Sequence, residues 1–236
     1  MNPQATAREF IQRLRRLTNP ARQAATLNYY PSKQENLGVS TPDMRAVVRE
    51  YKARLKDESP AQVLALAYAI IKMNTLEGRQ AAYELLAGHR AALASLKSRD
   101  VLRLGQGIDN WASVDGFCCS IAGRAWREGV LSDGELARWA RSKDRWWRRA
   151  SLVATVPLNA KSRGGKGDKA RTLEQCERLA DDHDDMVAKA LSWALRELIR
   201  WDRKGVEAFL VRHRNRLARR VVREVKRKLE TGRKSG

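Results

Sequence analysis

Apolar residues recur every three to four positions along most of this chain, which is the spacing of one face of an α-helix. In the first segment Phe10, Ile11, Leu14 and Leu17 form such a stripe, and the residues TNP then end it. No segment shows a convincing strand pattern. The periodicity therefore predicts an all-α fold.

Several helix starts are marked by a hydroxyl residue followed by proline. Thr41 is the predicted N-cap of one helix, with Pro42 in its first turn, and Ser59 with Pro60 repeats the arrangement. Further helices are predicted at about 76–87, 92–104, 110–127, 133–142, 144–157, 171–180, 184–200, 204–214 and 216–229. The many short helices and short connections indicate a stack of helical hairpins.

Unusual polar positions are spaced like the repeats of a helical solenoid. Asp115 and Arg149 are 34 positions apart, and Arg149 and Trp193 are 44 apart. These intervals bracket the period of about 40 residues of HEAT and armadillo repeats. Arg45 and Gln80 continue the same line at steps of 35. We therefore expect one HEAT-like helical-repeat solenoid over residues 1–230, in which these positions line one concave surface, and a basic tail at 231–236.

The net positive charge of the chain indicates what kind of partner it binds. The chain has 47 Lys and Arg against 27 Asp and Glu, a formal net charge of +20. Such an excess indicates a polyanionic partner, with nucleic acid as the first candidate because phosphate neutralisation releases counterions. With nucleic acid as the partner, the concave surface of the solenoid is expected to be a basic DNA-binding groove. Ribosome association and an anionic membrane surface are the alternatives.

Two basic segments stand apart from the repeat pattern. AKSRGGKGDKAR at 160–171 lacks the preceding apolar strand of a nucleotide-binding loop, and is predicted to be a mobile surface loop near DNA. The C-terminal basic helix has apolar residues at Leu217, Val221, Val225 and Leu229. Its charges either contact DNA directly or form a solvated face.

The cysteine, histidine and hydropathy patterns argue against a disulfide-stabilised, a metal-binding and a membrane-spanning protein. Cys118 and Cys119 are neighbours that could pair only with strain, so the three cysteines are predicted to be reduced core residues. The three histidines lack neighbours suited to metal ligation, so neither a metal nor a cofactor is expected. No apolar run has the length of a signal peptide or a membrane span, which indicates a cytoplasmic protein.

Three helical segments carry side chains that are unusual for a core. In GIDNWASVDGFCC, Trp111 and Asp115 lie one turn apart on one face, beside an apolar stripe, so the carboxylate is expected at the rim of the core. In KDRWWRRASLVATV, Arg149 is placed where it could approach a groove. The segment MVAKALSWALRELIRWDRK has one helical stripe in which a tryptophan stands among basic residues. The stripe consists of Lys189, Trp193, Arg196 and Arg200.

Each of these residues also has an ordinary structural interpretation. Tryptophans in helical solenoids mostly pack between repeats, an aspartate often caps a helix or pairs with an arginine, and a single cation is often merely solvated.

Four segments of the chain together resemble a known family. NYYPSKQENLGVSTPDMRAVVREY, GIDNWASVDGFC, RWWRRASLVATV and VAKALSWALREL are similar, in this order, to segments of the AlkD family of bacterial DNA alkylation-repair glycosylases, which are built of HEAT-like repeats. The most specific elements are W-x-x-V-D at Trp111 to Asp115, the Arg149–Ala150 step and the SWALRE helix. The family commonly has Asp after this tryptophan, where the chain has Ala112.

The resemblance implies a role for each matching residue. Asp115 becomes the catalytic carboxylate, Arg149 a partner that helps hold the site and the DNA backbone, and Trp111 and Trp193 the indoles that flank the damaged nucleotide. Residues expected to contact DNA are Tyr29, Arg45, Arg148, Lys189, Arg196 and Arg200.

The expected function is a monofunctional DNA glycosylase that releases N3- and N7-alkylpurines from duplex DNA and leaves an abasic site. We expect a monomer in the bacterial cytoplasm, associated with the nucleoid through DNA. The alternatives are a noncatalytic module that binds branched or distorted DNA, and a HEAT-type protein scaffold.

Overall fold

The structure is a computed structural model that describes residues 1–27, 29 and 31–233. Regular structure within these ranges is helical, apart from a parallel bridge between Glu35 and Thr75. The all-α prediction is confirmed. In the part of the chain described, no helix combines the length and hydropathy needed to cross a bilayer.

The helices follow one another with short connections. Those of the N-terminal half are α1 Pro3–Arg15, α2 Pro20–Leu27, α3 Thr41–Arg54, α4 Pro60–Lys72, α5 Leu76–Gly88, α6 Arg90–Ala94, α7 Ser98–Gly105 and α8 Trp111–Phe117. A π-helical turn at Cys118–Ala122 follows α8. Those of the C-terminal half are α9 Gly123–Arg127, α10 Asp133–Ala140, α11 Arg145–Val153, α12 Val156–Asn159, α13 Lys169–Arg178, α14 Asp185–Leu198, α15 Arg203–Arg212 and α16 Arg219–Thr231.

Side-chain caps set the first residue of several helices. Ser59 accepts a hydrogen bond from the Gln62 amide in a capping box, which confirms the prediction for α4. For α3 the predicted cap was wrong by one residue: Ser40 is the N-cap, with extended backbone and its Oγ 3.2 Å from the Asp43 amide nitrogen. Thr41 is instead the first helical residue.

Two predicted helices are interrupted, and a third contains a π-helical turn. The segment 92–104 is two helices, because the Asp100 carboxylate accepts from the Lys97 amide and starts a new helix there. The segment 144–157 breaks after Val153, and Pro157, which has no amide hydrogen, lies in the short α12. The segment 110–127 is helical throughout but contains the π-helical turn. Leu17 lies beyond α1 and is exposed.

The chain divides into two compact units, Met1–Ile121 and Ala122–Gly236. In the first unit, α4 packs against α1, α5 and α6, and α5 packs against α3 and α8. Its buried side chains include Phe10, Ile11, Leu14, Val47, Val48, Tyr51, Ile70, Tyr83, Val114 and Phe117. Apolar faces that the periodicity predicted therefore form this core.

In the second unit, sequence neighbours pair as α10 with α11 and α13 with α14, and α14 also packs against α11 and α16. This pairing is typical of helical repeats. Val221 and Val225 of α16 are buried, and the cysteines at 118, 119 and 176 are buried and in the thiol form, as expected. The solenoid, its groove and the single domain over 1–230 stay predictions. Of the expected tail, residues 234–236 lie outside the described residues.

Candidate active site

Trp111 and Asp115 are placed on one face of α8 by the cap that precedes them. The Asn110 side-chain oxygen accepts from the Ser113 amide at 2.9 Å, so the helix begins at Trp111 and Asp115 follows one turn later. Both side chains are partly exposed, whereas Val114 and Phe117 of the neighbouring apolar stripe are fully buried. The carboxylate therefore lies at the edge of the core, as the sequence predicted.

Tyr29 contributes a second aromatic ring to this face. Its ring centroid is 5.4 Å from that of Trp111, at an interplanar angle of 85°, which is a favourable edge-to-face contact. Tyr29 is 67% exposed. The first unit therefore brings together Tyr29, Trp111 and Asp115 around a surface that solvent, and hence a ligand, can reach.

Asp109 anchors the segment after Tyr29 to the start of α8, a role that sequence reasoning missed. Its carboxylate accepts from the Ser32 hydroxyl at 2.7 Å, the Lys33 amide at 2.6 Å and the Gln34 side-chain amide at 2.8 Å. The side-chain amide of Asn110 also donates to it at 2.9 Å. No local motif signals these contacts, because three of the four donors precede Asp109 by 75 to 77 positions.

Arg79 of α5 supports the same region from inside the unit. Its guanidinium is 4% exposed and donates to the Gln34 side-chain oxygen at 3.0 Å, the Tyr83 hydroxyl at 3.1 Å and the Gln106 carbonyl at 2.9 Å. A buried cation is tolerated when its donors are satisfied in this way. Arg79 was also missed, because the sequence offers no means of telling it from the other arginines.

Arg45 and Gln80, which the repeat spacing connected with Asp115, converge on one acid of α5. The Arg45 guanidinium lies 3.1 Å from the Glu84 carboxylate, and the Gln80 amide donates to Glu84 at 3.0 Å. Gly116 packs so closely on Gln80 that a Cβ there would lie 2.0 Å from the amide oxygen. A polar line therefore joins α3, α5 and α8 and ends beside Asp115.

The second unit holds Arg148 and Arg149 in fixed positions. Arg149 is 5% exposed, and its Nη1 donates to the Met186 carbonyl at 2.6 Å, which attaches α11 to the start of α14. The Arg148 guanidinium lies 2.6 Å from the Asp182 carboxylate and also donates to the Ser142 carbonyl at 3.0 Å. Both guanidinium groups thus make structural contacts within this unit, and their roles toward DNA stay predictions.

The predicted stripe on α14 is shorter than expected, because Arg196 is largely buried and Arg200 lies beyond the end of the helix. Lys189 pairs with Asp185 at 2.7 Å, and the Trp193 indole donates to Glu197 at 3.1 Å. Both are partly exposed. Arg200 is exposed but follows the last helical residue, Leu198.

Arg196 is not presented to solvent. Its side chain is 10% exposed and donates to the Ser192 carbonyl at 3.2 Å, with Glu224 of α16 at 4.0 Å. Burial lowers the pKa of Arg196. The helix face toward α16 therefore uses Arg196 for packing.

A family model described as DNA alkylation repair enzyme matches residues 10–229, nearly the whole chain. The chain belongs to this family. Membership confirms the resemblance seen in the four segments and gives the protein a role in DNA repair, with DNA as its partner. No curated protein matches the sequence.

This DNA alkylation repair enzyme has an acidic run whose carboxylates would repel DNA phosphates if they were not paired with cations. The run DDHDD at 181–185 is instead paired with cations of the same unit. The pairs are Asp181 with Arg216, Asp182 with Arg148, Asp184 with Arg145, and Asp185 with Lys189 and Arg220. Hydrogen bonds from Arg216 and Lys189 lower the pKa of Asp181 and of Asp185 respectively, so both carboxylates are ionised and neutralised locally.

Proposed function

We propose that this DNA alkylation repair enzyme is a monofunctional DNA glycosylase. It hydrolyses the N-glycosidic bond of cationic N3- and N7-alkylpurines in duplex DNA and leaves an abasic site. The observation that carries the proposal is the partly exposed Asp115 carboxylate one helical turn from Trp111, whose ring is in contact with the exposed Tyr29.

The chemistry needs a carboxylate rather than a general acid. An N3- or N7-alkylated purine already carries positive charge, so the C1′–N bond breaks with both electrons passing to the base, which leaves neutral. Positive charge then develops on the deoxyribose, and a carboxylate held against it stabilises that state more than the ground state. Asp115 would also orient the water that adds at C1′ and accept its proton.

The aromatic rings would favour charged lesions over normal purines. The ring of Tyr29 is exposed and that of Trp111 is partly exposed, so a ligand can reach their faces and edges. A cation over such a ring gains about 0.5 to 2 kcal/mol, which corresponds to a preference of roughly 2-fold to 30-fold. This preference is modest, so most of the selectivity would come from the weakened bond of the lesion itself.

Arg149 and Trp193 are proposed to act with Asp115, on the strength of the family resemblance. The bond from Arg149 to the Met186 carbonyl supports a positioning role, since it fixes the guanidinium at the start of α14. The other proposed DNA contacts remain Tyr29, Arg45, Arg148, Lys189, Arg196 and Arg200. Among these, Arg196 has little exposed surface and is the weakest candidate.

The decisive experiment measures release of 7-methylguanine and 3-methyladenine from methylated duplex DNA. Asp115→Asn preserves the size of the side chain, so we expect an unchanged melting temperature and DNA affinity, with release reduced at least about 100-fold. Asp57→Asn, at an exposed aspartate in the connection after α3, is the matched control and should act like the unaltered protein. Equal release by Asp115→Asn and Asp57→Asn would refute the proposal. Tight binding of DNA junctions with no base release by the unaltered protein would favour a noncatalytic module.

A further inference from the structure

The glycine-rich segment between α12 and α13, residues 160–168, is fastened at several points and does not fit the prediction of a mobile loop. We call it the basic loop. The Gly167 amide donates to the Leu158 carbonyl at 3.0 Å, and the Asp168 amide donates to the Asn159 side chain at 3.0 Å. Arg127 donates to the carbonyls of Pro157 and Arg163 at 2.8 and 2.9 Å. The loop backbone is therefore tied to its own unit before any partner binds.

Trp201 closes the basic loop from the other side. Its indole nitrogen donates to the Asn159 carbonyl at 2.7 Å, and Gly167 lies against its ring. Gly167 has φ of +88°, and a Cβ there would lie 2.7 Å from the indole, so glycine is required on both counts. The position of the loop depends on this indole.

Lysine side chains point outward from this fixed backbone. Lys161 and Lys166 of the loop are exposed, as is Lys169, the first residue of α13, and the Lys161 Nζ lies 5.5 Å from the centre of the Trp201 ring. The acid within this stretch, Asp168, caps α13 by accepting from the Arg171 amide at 3.0 Å. The exposed surface of the loop is therefore cationic.

The backbone of the basic loop is not arranged as a phosphate cradle. Such a cradle aims its amide hydrogens at the anion. Here the amides of Gly165 and Gly167 donate to the carbonyls of Ala160 and Leu158. A bound anion would therefore be contacted by the lysine ammonium groups, which act as point charges without a preferred geometry.

We infer that the basic loop binds the phosphodiester backbone of duplex DNA, as a contact made by residues other than those around Asp115. DNA is the favoured polyanion because the chain belongs to a DNA repair family and carries a net charge of +20. Since the loop is already ordered, binding loses little backbone entropy. Contacts of this kind increase affinity for any sequence and position the protein on the duplex without reading bases.

The test removes the three charges together, as Lys161→Gln, Lys166→Gln and Lys169→Gln. Three lost phosphate contacts make the slope of log affinity against log salt shallower by about 2 to 3. Between about 50 and 200 mM salt the unaltered protein then loses roughly 15-fold to 60-fold more affinity than the variant. The matched control replaces three other exposed lysines, Lys56, Lys72 and Lys97, by glutamine. An equal change of slope in both variants would overturn the inference.

A second variant tests whether the fixed position of the loop matters. Trp201→Phe keeps all three lysines and an aromatic ring but removes the donor to the Asn159 carbonyl. We expect the same salt slope with affinity lowered by up to about 10-fold, because a loosened loop must be ordered when DNA binds. Affinity equal to that of the unaltered protein would overturn the part of the inference that relies on a loop ordered before binding.

Base release and vesicle binding separate this inference from the role proposed for Asp115 and from binding to a lipid surface. Base release at saturating DNA should be the same for the triple-lysine variant and the unaltered protein, because the lysines play no part in bond cleavage. A shallower salt slope therefore supports the loop contact even if Asp115 proves not to be catalytic. An unchanged slope together with weaker binding to phosphatidylserine–phosphatidylcholine vesicles would overturn the inference in favour of a lipid surface.

Discussion

Replacing Asp109 tests whether a carboxylate two residues before α8 holds the surface around Trp111 together. Asp109→Ala removes an acceptor of four hydrogen bonds, from Ser32, Lys33, Gln34 and Asn110. At about 0.5 to 1.5 kcal/mol each the sum is about 2 to 6 kcal/mol. Asp109 is partly exposed, so water replaces some of these partners. We therefore expect a loss of about 2 to 4 kcal/mol in the free energy of unfolding.

The geometry predicts a smaller loss for Asp109→Asn. Oδ1 of Asp109 accepts from the Ser32 hydroxyl and from the side-chain amides of Gln34 and Asn110, whereas Oδ2 accepts from the Lys33 amide. An asparagine can keep its oxygen at the first position, but its amino group then faces the Lys33 amide hydrogen. One mismatched pair costs about 1 to 2 kcal/mol.

Thermal unfolding distinguishes these cases. A protein of this length shifts its melting temperature by about 2 to 4 °C per kcal/mol, so Asp109→Ala should melt roughly 5 to 15 °C lower and Asp109→Asn roughly 2 to 8 °C lower. The exposed Asp57→Ala is the control and should change little. Below the melting temperature, both Asp109 variants should retain more base release than Asp115→Asn. An Asp109→Ala protein that melts with the control would refute the anchoring role.

Three other changes follow from contacts in the structure. Ser59→Ala removes the capping box of α4 and should cost about 1 kcal/mol in urea unfolding, a loss that Ser59→Thr should largely avoid. Arg79→Met leaves buried acceptors without their donor and should cost roughly 3 kcal/mol or more, whereas a change below 1 kcal/mol in the same titration would show that Arg79 is not a structural tie. A hydrogen bond from Lys189 lowers the pKa of Asp185 in the folded protein. The pair therefore stabilises the folded state above the unfolded-state pKa of about 3.9, and this stabilisation is lost as the pH falls through the lower pKa of the folded state. Asp185→Asn should therefore destabilise the protein more at neutral pH than at about pH 2, and an equal effect at both would contradict this ionisation.

Helices and their local geometry could be read from the sequence alone. Periodicity located the apolar faces around Phe10, Tyr51 and Phe117, all of which are fully buried. Asp115 falls one turn after Trp111 in any helix that begins near Asn110, so their shared face needed no tertiary information. Boundaries were less certain: Ser40 and Thr41 are both good caps, and the backbone decides between them.

Tertiary structure decided which charges face solvent and which hold the fold. With 47 basic and 27 acidic residues, the sequence cannot show that Arg79 is enclosed by neutral acceptors or that Arg196 is buried beside Glu224. It cannot show either that the donors to Asp109 come from residues 32–34. Helical periodicity is a local property of the backbone, whereas hydrogen bonds and ion pairs depend on distances between segments that only packing brings together.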